Sequence, residues 1–169
     1  QYASLVGKQG DLLAASEASP YNKSAFNVQQ SKLGVIACGI AYNYVMENNP
    51  QALGIPVLKV SQYPLPETAI KELAAQCESL LIAEDGQPLV EEQVKSLLGA
   101  GYPIKGRYTG DLPRMGELTP DSVGTALGVS IEQPYQYQPC EIRYSTNEYG
   151  GDYATVRYYR PCTVKVNEL

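Results

Sequence analysis

From Leu33 onward, short apolar runs alternate with stretches in which apolar residues recur every three or four positions. The first run, Leu33-Gly34-Val35-Ile36-Ala37, is short enough for a buried strand. Cys38-Gly39 then makes a turn, and Ala41, Tyr44, Val45 and Asn48 share one helical face. Pro50 and Gly54 end that helix, and Pro56-Val57-Leu58-Lys59-Val60 supplies a second strand. Tyr63-Pro64-Leu65-Pro66 is a rigid turn whose second proline suits the first turn of a helix, where its missing N–H leaves nothing unpaired. The helix that follows has the clearest periodicity, with Ile70, Leu73, Ala74 and Cys77 on one face and Glu67 near its positive end. A third strand, Leu80-Leu81-Ile82-Ala83, runs into the acidic turn Glu84-Asp85-Gly86. Val90, Val94, Leu97 and Leu98 then give a helical stripe, which leaves Glu91, Glu92 and Lys95 expected in water and Gly99 and Gly101 as the stop. Residues 102–107 read as a fourth strand. Thr119-Pro120-Asp121 has the order of a helix start: a hydroxyl cap, then proline, then an acid.

Apolar strands alternating with amphipathic helices define an α/β domain. Each crossover helix must bury its stripe, so a mainly parallel sheet ends up covered on both faces. Residues 32–128 are expected to form this doubly wound, three-layer α/β/α unit. Residues 1–31 mix small, polar and amide side chains and read as a linker, with a short helix around 11–16. The stretch 129–169 changes character again: it holds seven of the 14 tyrosines and a Gly150-Gly151 pair. Within it, Glu141-Ile142-Arg143-Tyr144 and Ala154-Thr155-Val156-Arg157-Tyr158-Tyr159 flank a turn-rich segment, the pattern of a β-hairpin. Tyrosine is enriched at interfaces, so this tail reads either as a docking segment or, preferably, as an arm covering a sheet edge.

At 169 residues the chain is long enough for one core but not for two full domains. Lysine and arginine total 13 against 18 acids, a net charge of −5, which argues against nucleic acid as a partner. There is no histidine. Its absence removes Ser-His-Asp and Cys-His nucleophile arrangements, imidazole metal sites and the side chain best suited to proton transfer near neutral pH. Cys38, Cys77, Cys140 and Cys162 are widely spaced and form no Cys-x-x-Cys pair, so a zinc ribbon, a redox dithiol and a local iron–sulfur loop lack support. Free thiols and a cytoplasmic location are the default, although the even count also permits two disulfides in a secreted chain. No apolar run approaches the roughly 20 residues needed to span a bilayer. The chain starts at Gln1 without a signal-type region, which suggests a segment of something longer.

In doubly wound sheets, ligands sit beyond the carboxyl ends of the strands. Here those ends carry Cys38-Gly39, Ser61-Gln62 and Glu84-Asp85-Gly86, none of them a phosphate cradle. Cys38 lies where helix N–H groups can lower a thiol pKa; with no basic neighbour in sequence, the preferred reading is a small core residue. Glu84 and Asp85 have two readings, a carboxylate pair for acid–base work or, preferably, a solvated turn whose acids favour the following helix. Lys105, Arg107 and Arg114 form a sparse basic cluster for an anionic ligand such as coenzyme A, with a solvated loop as the preferred alternative.

Four segments together resemble one family. They are Lys32-Leu33-Gly34-Val35-Ile36-Ala37-Cys38-Gly39-Ile40-Ala41-Tyr42-Asn43-Tyr44-Val45, then Tyr63-Pro64-Leu65-Pro66, then Leu81-Ile82-Ala83-Glu84-Asp85 with Val90-Glu91-Glu92-Gln93-Val94, and Gly116-Glu117-Leu118-Thr119-Pro120-Asp121. In order and spacing they look like the middle domain of the alpha subunit of indolepyruvate ferredoxin oxidoreductase, over about residues 20–127 and including Ser19-Pro20-Tyr21-Asn22. The resemblance implies the fold of the transketolase C-terminal domain, with about five mainly parallel strands between helical layers. It also implies a whole enzyme that oxidatively decarboxylates aryl-pyruvates to acyl-coenzyme A and passes electrons to ferredoxin. Thiamine diphosphate, iron–sulfur clusters and coenzyme A belong to that whole enzyme, and none of their motifs falls in this chain. The family's thiamine-binding domain opens with a Cys-Pro-x-Cys-Pro-His type motif, where this sequence has Pro139-Cys140-Glu141-Ile142-Arg143.

Two functions follow. In the first, the chain is the central structural domain of such a subunit, inactive alone. Its partners would then be the other domains of the alpha subunit, the beta subunit and, through the whole enzyme, ferredoxin. In the second, it is a free-standing ligand-binding or partner-docking module that recognises through its tyrosine-rich tail.

Overall fold

A computed structural model describes residues 2–25, 30–130, 142–146 and 152–156. The chain divides into two units, 1–131 and 132–169. In the first, the elements run α1 (Tyr2–Gly7), α2 (Gln9–Glu17), β1 (Lys23–Ala25), β2 (Gly34–Cys38), α3 (Ile40–Glu47), β3 (Val57–Val60), α4 (Glu67–Gln76), β4 (Leu80–Ala83), α5 (Leu89–Leu98), β5 (Ile104–Lys105) and α6 (Pro120–Ala126). They form a five-stranded sheet of order β1-β3-β2-β4-β5. β3, β2, β4 and β5 are parallel, and β1 alone is antiparallel, pairing Lys23 with Lys59 and Ala25 with Val57. The expected α/β architecture is the one observed.

The apolar runs are continuous because each strand supplies both faces of the sheet. Ile36, Cys38, Leu58, Leu80 and Ile82 pack with Ile70 and Leu73 of α4 and Val90 and Val94 of α5. Their immediate neighbours Val35, Ala37, Val57, Leu81 and Ala83 face the opposite layer, with Ala41 and Val45 of α3 and Val123 of α6. A one-residue slip in β4 would exchange Leu80 and Ile82 for Leu81 and Ala83, so core volume as well as hydrogen bonding fixes the register. Cys77, expected on the α4 face, is the first residue past that helix; its backbone is extended and its side chain is still in the core. α6 begins as anticipated, with Thr119 and Ser122 satisfying each other's backbone N–H groups in a capping box.

Residues 1–31, expected as a linker with a short helix around 11–16, hold that helix as α2 and add a second helix and an edge strand. Lys-Ser-Ala has no apolar alternation to betray a strand; β1 is specified by what precedes it. The Asn22 side chain accepts N–H groups from Ser61 (2.8 Å) and Gln62 (2.9 Å), and its amide donates to the carbonyls of Ser16 and Gln62, both at 3.0 Å. Ser19 Oγ adds a bond to Gln62 Oε1 at 2.7 Å. These contacts clasp the end of α2 to the segment after β3 and deliver β1 onto the sheet edge. Asn22→Ala leaves backbone groups of Ser61 and Gln62 without these partners and is expected to lower stability by about 2 kcal/mol, read as a lower urea midpoint at unchanged slope.

In the second unit, β6 (Ile142–Thr146) and β7 (Asp152–Val156) pair antiparallel, Ile142 opposite Val156 and Thr146 opposite Asp152. The turn between them, Cys140, Cys162 and the remaining tail tyrosines lie outside the described residues.

Candidate functional site

The chain leaves β2 for β3 on one side and returns to β4 on the other, which places a topological switch point at the carboxyl ends of β2 and β4. Cys38 closes β2 there and Glu84 follows β4. Tyr63, from the turn after β3, reaches the same place. Cys38 is 8% exposed. Burial, reinforced by the nearby charge of Glu84, pushes its thiol from an ordinary 9.0 up to about 12, against the smaller opposing pull of a hydrogen bond with the Tyr63 hydroxyl. Burial and the same neighbours raise Tyr63 to about 12. Cys38 is therefore a neutral thiol at physiological pH, and the N–H groups at the start of α3 do not convert it to a thiolate.

The pH consequence has a definite sign. A thiol whose folded pKa lies above its unfolded value contributes stability that is whole below about pH 9 and is lost as pH rises toward 12. Unfolding free energy is expected to fall across that alkaline window in a Cys140→Ser, Cys162→Ser background, with a shallower fall once Cys38→Ala is added. Denaturant titrations at stepped pH measure both slopes, and equal slopes would contradict the assignment.

Glu84 departs from the solvated turn expected of it. It is 5% exposed, and its two oxygens accept the N–H groups of Val90 (2.9 Å) and Glu91 (2.8 Å) in the first turn of α5. Burial raises its carboxyl pKa, Glu91 adds to the rise, and the two N–H bonds and Arg107 oppose it; the net direction is upward. Gly86 and Pro88, between β4 and α5, fold the chain back so that a residue six positions upstream does the capping. Asp85 accepts from Arg107 Nη2 at 2.9 Å and from the N–H groups of Gly86 and Leu118.

Arg107 corrects the basic-cluster reading. It is 2% exposed, and all five guanidinium N–H directions are occupied. Nε donates to the Glu84 carbonyl (3.1 Å), Nη1 to the carbonyls of Pro113 (2.7 Å) and Gly116 (3.2 Å), and Nη2 to Asp85 and again to Gly116. None remains for an anion. Lys105 is 3.9 Å from Asp111, and Arg114 lies over the Tyr108 ring at 4.3 Å. The three basic residues do not converge. Glu84, Asp85 and Arg107 do, as one network that pins residues 113–118 to the strand end.

Sequence reasoning missed Glu91. Expected in water, it is fully buried on α5, with Oε1 2.6 Å from Lys95 Nζ and Oε2 accepting the Tyr108 N–H at 3.1 Å. Its carboxylate fills the space that a side chain at Gly106 would take. The signal was its spacing: Glu91 precedes Val94 by three residues and Leu98 by seven, on the inward stripe.

Among the described residues no three metal-ligating side chains converge, and no helix is long and apolar enough to cross a membrane. Since Glu84 and Arg107 are also occupied internally, these residues do not fit an iron–sulfur cluster or a metal-bound diphosphate.

No protein-family model matches the chain. Among solved structures, the 2-oxoglutarate:ferredoxin oxidoreductase of Magnetococcus marinus aligns with 75% of this chain and 23% of its own (TM-score 0.56, 13% identity). A split-gene transketolase aligns with 65% of this chain and 41% of its own (TM-score 0.50, 17% identity). The fold is thus the α/β class that transketolases and 2-oxoacid:ferredoxin oxidoreductases share. Curated relatives narrow this further. Indolepyruvate oxidoreductase subunit IorA is 28% identical over 143 residues in Methanothermobacter thermautotrophicus, 30% over 128 in Methanothermobacter marburgensis and 33% over 110 in Archaeoglobus fulgidus. These matches cover 82%, 73% and 62% of this chain but only 23%, 21% and 17% of the relatives. Over that stretch the chain belongs to the indolepyruvate oxidoreductase alpha-subunit family and represents one domain of it, spanning about a fifth of the relatives' length.

Proposed function

We propose that this chain is the central scaffolding domain of an alpha subunit whose whole enzyme oxidatively decarboxylates aryl-pyruvates, forms acyl-coenzyme A and reduces ferredoxin. Thiamine diphosphate, iron–sulfur clusters and coenzyme A are held outside these residues. The domain spaces the parts that hold them, in contact with neighbouring domains of the subunit and with a beta subunit, in the cytoplasm. The observation that carries this reading is the internal use of the site: the side chains at the switch point bind the protein's own backbone, while the family match is to a domain-sized stretch. The Magnetococcus marinus structure, with 2-oxoglutarate, coenzyme A and succinyl-CoA bound, belongs to an enzyme of related chemistry and the same fold.

Calorimetry with thiamine diphosphate and magnesium, run on this chain and on the full-length complex, tests the reading. The chain is expected to give no binding heat. The complex is expected to bind the cofactor, show iron–sulfur absorbance and reduce ferredoxin with indolepyruvate. Stoichiometric, tight binding by the chain alone would overturn it.

A further inference from the structure

We propose that Asp85-Gly86 is the site at which this domain isomerises to isoaspartate, and that the Arg107 network holds the reaction in check. Of the five aspartates, Asp85 alone precedes a glycine; Asp11, Asp111, Asp121 and Asp152 precede Leu, Leu, Ser and Tyr, and the sequence has no Asn-Gly step. A glycine has no Cβ to block attack by its amide nitrogen on the carboxyl carbon of the residue before it. Gly86 is also exposed, and a Cβ built on it would meet no atom within 4 Å. The two reacting groups are already side by side. The Gly86 N–H donates to Asp85 Oδ1 at 3.1 Å, so nitrogen and carboxyl group stand at the separation of a near-attack arrangement, about 3–3.5 Å. Attack forms the bond from Gly86 N to Asp85 Cγ, the amide proton and the carboxyl OH leave as water, and a five-membered succinimide results. Water then reopens the ring. Cleavage between the nitrogen and Cγ restores aspartate, whereas cleavage between the nitrogen and the Asp85 main-chain carbonyl carbon gives isoaspartate, with the main chain running through Cβ and Cγ and a free carboxylate on Cα. The reaction belongs to the chain itself and is independent of the function proposed above.

Arg107 restrains the first step in two ways. Its Nη2 pairs with the attacked group at 2.9 Å, and a carboxylate held as an anion by a guanidinium is a poor acceptor for a nucleophile. Its second effect is orientation. Arg107 Nη2, the Leu118 N–H at 3.3 Å and the Gly86 N–H all meet on Oδ1, which keeps an oxygen rather than Cγ turned toward the nitrogen. Isomerisation would lengthen the main chain by one methylene between β4 and α5, the stretch that Glu84 spans when it caps Val90 and Glu91. It would also move the carboxylate away from Arg107 and the Leu118 N–H. One covalent event thereby loosens the strand end, the start of α5 and residues 113–118 together.

The test ages the 169-residue chain at physiological temperature and pH, counts isoaspartate by enzymatic methylation of its free carboxylate, and places it by peptide mapping. Wild type, Arg107→Ala, Arg107→Lys, Asn22→Ala and the wild-type chain held in urea are compared. Isoaspartate is expected at position 85 in each, slowest in the folded wild type, several-fold faster in both Arg107 variants and fastest in urea. Asn22→Ala, weakened at a different part of the fold, is expected to keep nearly the wild-type rate, which separates release of the network from general unfolding. Where Arg107→Ala does not fold, Arg107→Lys decides. Isomerised wild-type chain, separated by chromatography, is expected to show faster hydrogen exchange at the Leu118 amide than the unaged chain. A folded wild-type rate equal to that in urea, an Arg107→Lys rate equal to wild type, an Asn22→Ala rate matching Arg107→Lys, or isoaspartate arising first at another aspartate would each overturn the proposal.

Discussion

Replacing Arg107 with alanine is expected to lower the unfolding free energy of the α/β unit by about 2–4 kcal/mol. The side chain is buried, and its removal takes a donor from four acceptors at once: the carbonyls of Glu84, Pro113 and Gly116 and the Asp85 carboxylate. The carbonyls lose a buried donor, whereas Asp85, which is exposed, keeps the N–H groups of Gly86 and Leu118 and falls back on water. Arg107→Lys is expected to recover a minority of the loss, because an ammonium at the end of a flexible stem does not reproduce a planar fork aimed at acceptors in several directions. Chemical unfolding gives the magnitude. Hydrogen exchange adds a local signature: in Arg107→Ala the Leu118 amide is expected to lose protection more than amides in β2 or β4. Uniform loss across the sheet would mean that Arg107 merely fills space.

The second large effect is expected at Gly106. A Cβ there would sit 2.4 Å from Glu91 Oε2 and 2.7 Å from Cδ. The carboxylate cannot retreat freely, since one oxygen meets Lys95 and the other holds the Tyr108 N–H. Gly106→Ala therefore forces out a buried, bonded group, with an expected cost of about 2–3 kcal/mol. Glu91→Ala opens the space, so the double variant should be less destabilised than the sum of the two singles. A double-mutant cycle by urea unfolding measures this coupling. Strict additivity would show that the clash is relieved elsewhere.

The central strands and their helices were legible because both rest on period: Leu80-Leu81-Ile82-Ala83 has the length and bounds of a buried strand, and Ile70, Leu73 and Ala74 fall on one helical face. The family was legible from short motifs kept in order. What escaped was structure held by side-chain bonds between distant positions. β1 has no apolar pattern and depends on Asn22 reaching the backbone of 61–62. Glu84 caps a helix from six residues before its second position, a spacing outside the ordinary capping motifs. Arg107 reads in sequence as one more surface charge, because its partners are mostly carbonyls, which every residue carries. Charged residues were assigned to water by default, and Glu84, Glu91 and Arg107 each violate that default through a partner supplied by the fold.

The single antiparallel strand at the sheet's margin has a consequence for how the protein behaves in concentrated solution. β1 is only three residues long, with Lys23 and Ser24 exposed, yet it hydrogen-bonds the otherwise open side of Val57-Leu58-Lys59-Val60. A short, charged border of this kind is a poor template for another molecule's backbone, whereas a bare β3 would offer a hydrophobic one. A chain beginning after residue 25 would keep nearly the whole core and still be expected to scatter light on concentration. The Asn22 clasp that holds β1 in place thus keeps that edge of the sheet paired.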